Sequence, residues 1–136
     1  MPGAPVEALH RVPLFADLDD GEVAEIARIF KERRFGDGET VIKEGLGGAT
    51  FFLIESGEAK VSVGGRERAT LRRGDYFGEI ALIDEGARSA TLVASGELVC
   101  YGITLWEFRP LVQGSPAIAW KLLQALAKRL RDAEQY

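Results

Sequence analysis

Histidine and cysteine are nearly missing from this sequence: one of each, His10 and Cys100, in 136 residues. A single cysteine closes no internal disulfide and builds no zinc ribbon, and a single histidine builds no histidine-rich metal centre. One histidine near a loose chain end also excludes the histidine-dependent catalytic triads. The facial histidine–carboxylate set of metal-dependent barrel enzymes is out of reach for the same reason. Long apolar runs are absent too. Nothing approaches the roughly 20 apolar residues of a membrane span, and "MPGAPVEALHRVPLF" lacks the basic start and unbroken apolar centre of a signal peptide. Positive charge is in deficit, with 17 Lys and Arg against 21 Asp and Glu. The basic pairs Arg33-Arg34, Arg72-Arg73 and Lys128-Arg129 are scattered and carry no aromatic platform. Neither nucleic acid nor a membrane is therefore an expected partner. The cytoplasm is the expected compartment, with Cys100 a small reduced core residue.

What is present has a clear order. The stretch "DLDDGEVAEIARIF" opens with a capping box, Asp19 to Glu22, and then repeats Val23, Ile26, Ala27 and Phe30 at helical spacing. The spacing predicts a helix over about 19–31. Short apolar or alternating runs follow to residue 103, among them "ETVIKEG", "ATFFLIESG", "EAKVSVGG" and "ELVCYGI". Glycine punctuates them, which reads as an antiparallel sandwich or barrel over about 32–103. Gly64-Gly65 reads as a hairpin turn, and Gly57 and Gly96 as further turns. Within "EAKVSV", alternation puts Ala59, Val61 and Val63 on one face. A short helix over about 104–112 follows Thr104. A longer one over about 116–132 has Ser115 as cap and Pro116 at its first position. Its apolar stripe, Ile118, Leu122, Leu126 and Leu130 beside Ala119, Leu123 and Ala127, is wider than a helix lying on one surface needs. That leaves a face for a ligand, a partner or a second copy. Residues 1–136 read as one domain, long enough to bury roughly two-thirds of its unfolded surface.

The densest chemistry is in "FGEIALIDEGARSATL", residues 77–92. Gly78 precedes a short helix-capable run whose first amides lack internal partners and suit an anion. Small residues at Gly78 and Ala81 allow close approach to that backbone. Arg88 matches a phosphate with two parallel hydrogen bonds, and Ser89 adds a hydroxyl donor. Glu79 cannot favour an anion, but a carboxylate reads ribose hydroxyls in dinucleotide sites. Phosphate and ribose together point to a nucleotide. From residue types alone, a structural Glu79–Arg88 ion pair at a barrel edge is an equal alternative. Asp84 and Glu85 read as a solvated loop tip, "RGD" at 73–75 as a turn, and "KRLR" at 128–131 as a solvated helix face. Trp106 and Phe108 read as core.

"FGEIAL", five further residues and "RSAT" closely resemble the phosphate-binding cassette of cyclic nucleotide-binding domains. The resemblance covers nearly the whole chain, with "LFADLDDGEVAEIARIF" similar to the leading helix of that family and "FGDGETVIKEG" and "FFLIESGEAKV" to its early strands. It implies an antiparallel β-roll or jelly-roll, cupin-like, with one N-terminal and two C-terminal helices. It also implies ligand contacts from Val61, Phe77, Gly78, Glu79, Ile80, Ala81, Arg88 and Ser89. In this scheme Glu79 bonds the ribose 2′-hydroxyl and Gly78 lies against the sugar. The amides near Ile80 and Ala81 hold the cyclic phosphate with Arg88 and Ser89, and Val61 packs on ribose or base. The last helix closes over the base as a lid, with Arg131, Glu134 and Tyr136 the candidates in place of paired hydroxyls. Ser89 resembles bacterial cAMP binders, so cAMP is expected ahead of cGMP, with no cofactor. The implied protein is a regulatory sensor, not an enzyme, that pairs with its own copy or an effector through the C-terminal helices. A ligand-free interaction module on the same helices is the rival.

Overall fold

The computed structural model describes residues 3–45, 50–84, 88 and 90–134. The chain begins with helix α1 (Val6–His10), a 3-10 turn (Pro13–Phe15) and helix α2 (Asp20–Ala27). The start is not the loose end expected from its sequence. Leu9, Val12, Leu14 and Phe15 are all buried in the core, because the prolines at 5 and 13 shape short turns that aim four apolar side chains one way. The capping box forms as read: Glu22 N–H donates to Asp19 Oδ1 at 2.8 Å and Asp19 N–H to Glu22 Oε1 at 2.9 Å. Helix α2 nevertheless stops at Ala27, short of residue 31. Ile29 and Phe30 donate to carbonyls three residues back, which tightens the last turn. Phe30 thereby leaves the helix and packs edge-on against Phe51, 5.6 Å between ring centres.

Six antiparallel strands follow: β1 (Lys31–Phe35), β2 (Thr40–Ile42), β3 (Thr50–Val63), β4 (Arg66–Leu71), β5 (Tyr76–Phe77) and β6 (Thr91–Thr104). The sheet order is β1-β6-β3-β4, with β2 added on β6 and β5 on β3. This is the expected β-roll between N-terminal and C-terminal helices; the cupin-like label fits it only loosely. Gly57 and Gly96 are not turns. They lie inside β3 and β6, where the register slips between Ser56–Val99 and Glu58–Ser95. A side chain at Gly57 would overlap the Glu97 carbonyl, so glycine there lets two 14-residue strands bend against each other without ending.

Both faces of β3 are buried, which explains its unbroken run "FFLI". Phe51 and Leu53 face a cluster with the helices, including Phe15, Ile26, Phe30, Leu82, Ile103, Phe108, Ile118 and Leu122. Phe52 and Ile54 face the roll interior with Ile42, Ala59, Leu92, Ala94, Leu98 and Cys100. Burial there raises the Cys100 thiol pKa to about 12, so it stays an inert core residue.

Helix α4 (Leu105–Gln113) starts at a second capping box, Thr104 with Glu107, and α5 (Pro116–Glu134) at Ser115, whose Oγ accepts from Ile118 N–H at 3.3 Å. Ile118, Leu122 and Ala125 bury one face of α5. Contrary to expectation, Trp106 is 65 % exposed while Phe108 is core. On α4, the tryptophan stacks outward beneath Arg109, 5.8 Å from guanidinium to ring.

Candidate functional site

Strand β5 delivers its two side chains to opposite faces. Tyr76 joins the helical cluster and Phe77 the roll interior. Gly78 then turns the chain at φ +90° into the four-residue helix α3 (Ala81–Asp84). Glycine is needed twice over here. A Cβ at Gly78 would stand 2.5 Å from Arg88 Nη1 and 2.9 Å from the Thr50 carbonyl oxygen. The Arg88 guanidinium occupies that space. Its Nη2 donates to Thr50 C=O at 2.6 Å, and its own carbonyl accepts from Gly45 N–H at 2.9 Å.

Arg88 is only 8 % exposed, and burial lowers its pKa. Among the described residues its Nε is the buried side-chain nitrogen without a hydrogen-bond partner. Leaving such a donor unmatched costs about 1–3 kcal/mol. An unmatched buried donor of that kind is one that an anion or a water molecule could satisfy.

Glu79 is also buried, at 9 % exposure, but its charged partner is not Arg88. Arg129 on α5 reaches it, with 3.7 Å from Nη1 to Oε1. The run "KRLR" is thus not wholly a solvated face: Arg129 turns inward to the cassette. Both charges are felt at Tyr76, whose phenol is pushed up by burial and by Glu79, against the opposing pull of Arg129.

These residues surround a cavity of about 710 Å³, within the usual range of roughly 300–1,000 Å³ for small-molecule sites. Phe77, Gly78, Glu79, Ile80, Ala81 and Arg88 all line it, together with Leu71, Asp75, Tyr76 and Asp84. Asp84, read as a solvated tip, is one of its walls. The Ala81 amide already donates to the Gly78 carbonyl at 3.1 Å, while that of Ile80 has no acceptor among the described residues. Val61 is half-buried against the roll interior and is not among the lining residues. Ser89 and Tyr136 lie outside the described residues. Arg131 and Glu134 are exposed on the last turns of α5. Leu71, Tyr76 and Arg129 escaped the sequence reading. Tyr76 and Leu71 flank the "RRGD" turn in plain view, but only the pairing of β4 and β5 with β3 puts them on the cavity that Arg88 lines.

A two-layer arrangement of roll and helices, with a buried arginine and carboxylate around one nucleotide-sized cavity, is that of a small-ligand regulatory module. The family model for the cyclic nucleotide-binding domain matches residues 32–115, and the chain belongs to that family. It is 34% identical over 127 residues to the cyclic AMP receptor protein of Thermus thermophilus, covering 90% of this chain and 59% of that protein. It is 41% identical over 95 residues to a cGMP-dependent protein kinase of Toxoplasma gondii, covering 70% of this chain and 10% of the kinase. The crystal structure of the N-terminal domain of a transcriptional regulator from Streptomyces coelicolor A3(2) superimposes with a TM-score of 0.85 at 30% identity, over 93% of this chain and 92% of that one. The chain thus spans from a tenth to about three-fifths of these two curated relatives.

Proposed function

We propose that residues 1–136 act as one regulatory domain that binds a cyclic nucleotide, cAMP ahead of cGMP, in the cytoplasm. The observation that carries this reading is Arg88: a buried guanidinium with an unmatched Nε, lining a cavity whose other wall holds Glu79. In this reading Arg88, the Ile80 amide and Ser89 hold the cyclic phosphate. Glu79 takes the ribose 2′-hydroxyl, Gly78 and Ala81 admit the sugar, and Phe77 with Leu71 packs against ribose or base. Val61 contributes from behind as packing. The preference for cAMP is supported by Ser89 and by the cyclic AMP receptor protein among the relatives. The role is regulatory, not catalytic. Ligand neutralises Arg88 and shifts α4 and α5, provided that it binds one helix arrangement better than the other. The output partner is a second copy of the chain or an effector protein, met by the exposed face of α5.

The test is a calorimetric titration of the chain and its Arg88→Ala variant with cAMP and with cGMP. Removing one partner of a buried charge pair costs about 2–5 kcal/mol, so the variant should bind at least roughly 30-fold more weakly. The stronger ligand names the signal. An apolar cleft of about 300 Å³ between α3, α4 and α5 favours a second reading, docking of a protein without nucleotide. Absence of heat with either nucleotide would select that reading.

A further inference from the structure

A second cavity, of about 350 Å³, shares none of the residues that line the nucleotide cavity. Its size lies within the usual range of small-molecule sites. Three segments distant in sequence build it: helix α1 with Arg11 just beyond it, residues 53–55 of β3, and Arg73-Gly74 in the turn between β4 and β5. Two hydrogen bonds fasten that turn to β3, Gly74 N–H to Ile54 C=O at 3.0 Å and Ile54 N–H to Asp75 C=O at 2.9 Å. Glu55 enters through a β-bulge. The register steps from Ile54–Cys100 to Ser56–Val99, which leaves Glu55 without a partner on β6 and puts its side chain on the cavity wall.

Four charged side chains line this cavity, Glu7, Arg11, Glu55 and Arg73, two of each sign. Arg73 Nη2 and Glu55 Oε1 stand 4.0 Å apart and balance each other loosely. Among the described residues, the side chains of Glu7 and Arg11 have no ion-pair or hydrogen-bond partner. Glu7 lies one turn before Arg11, whose backbone is still helical at φ −79° and ψ −14°. An acid four residues ahead of a base is the favoured order for a helical ion pair, yet none forms here. The Arg11 guanidinium lies instead against the turn, where a Cβ on Gly74 would be 3.6 Å from its Nη1. We propose that this cavity binds a small zwitterion, an α-amino acid, with its carboxylate on Arg11 and its ammonium on Glu7. A plain anion would meet two carboxylates there and a plain cation two guanidinia, in a recess that screens charge less than open water does. A zwitterion satisfies both open charges at once. Guanidinium takes a carboxylate through two parallel hydrogen bonds, and a carboxylate takes an ammonium through a charge-assisted one. Both ligand groups hang from one carbon, which suits an acid and a base one helical turn apart. The site stands independently of the nucleotide reading. Bound there, the ligand bridges α1 to the turn whose next residues, Asp75 and Tyr76, line the nucleotide cavity.

The test follows thermal unfolding of the wild type with each proteinogenic L-α-amino acid in turn. Sodium acetate and ethylammonium chloride, at equal ionic strength, supply each charge without the other. At ten times its Kd the ligand should raise Tm by about 5 °C, and neither single-charge salt should do so. Glu7 and Arg11 are exposed, so Glu7→Gln and Arg11→Gln should unfold near the wild-type Tm without ligand. Each should bind the same amino acid roughly tenfold more weakly. No rise with any amino acid at about 10 mM would overturn the site. So would a rise matched by acetate or ethylammonium alone, or one that persists undiminished in either variant.

Discussion

At the residue scale, the site depends on one atom that is absent. Gly78 has no Cβ, and the space one would fill is taken by Arg88 Nη1 and the Thr50 carbonyl. Gly78→Ala therefore carries two costs. The φ of +90° strains any other residue by about 1–3 kcal/mol, and the methyl group pushes the guanidinium off Thr50. Gly38→Ala is the natural control, since φ is +81° there but nothing lies within 4 Å of the added carbon. Urea unfolding should show both variants destabilised, Gly78→Ala the more. Titration with cAMP should show binding lost only in Gly78→Ala; retained binding there would mean that Arg88 need not lie against the turn.

At the element scale, α5 makes two ion pairs with other elements among the described residues, beside its apolar contacts. Arg129 meets the cassette, and Lys121, two turns earlier, meets α2 through a 2.8 Å contact from Nζ to Glu22 Oε1. Glu22 lies below its ordinary carboxylate value of 4.5, chiefly through the Lys121 hydrogen bond and then that from Asp19 N–H. Lys121 lies above 10.5, chiefly through the same bond. A carboxylate with a depressed folded pKa stabilises the fold above its unfolded value, and the contribution is lost as pH falls through the folded one. The Lys121 contribution is present below 10.5 and lost as pH rises through its raised value. The urea midpoint of the wild type should thus fall more steeply than that of Glu22→Gln between about pH 5 and pH 3. Parallel curves for the two proteins would show that this tie adds nothing.

For the whole molecule, the two faces of α5 matter together. Ile118, Leu122 and Ala125 close the helical core, while Trp120 is 63% exposed, Leu123 57% and Leu130 63%. Trp120, Leu123, Ala127 and Leu130 follow one another at intervals of three, four and three residues, the spacing of a coiled-coil seam. A row of that kind on solvent is suited to pairing with its own copy. Sedimentation velocity should show a concentration-dependent dimer, lost in Leu123→Glu, with Trp120 emission shifting to the blue on association. A monomer at every concentration would leave the exposed row to an effector.

Much of this was legible in the order of residues. Helix starts announce themselves locally, because a cap needs only a side chain and an amide three residues on, as at Asp19–Glu22 and Thr104–Glu107. The alternating strands are local patterns of the same kind and indicated an antiparallel sandwich or barrel, while the family resemblance of the cassette implied the roll and named Phe77, Gly78, Glu79, Ile80, Ala81 and Arg88, which line the cavity. Contacts between distant segments left no such mark. Gly57 looks like a turn in one dimension and proves to be the place where β3 and β6 approach closely. The opening residues look loose until Leu9 and Phe15 find the helical core. Arg129 is one cation in a basic run, and only the packing of α5 puts it 3.7 Å from a carboxylate fifty residues earlier. Sequence determined what each segment does with its own hydrogen bonds and apolar faces. Tertiary structure alone decided which charge meets which, because that choice depends on the path of the intervening chain.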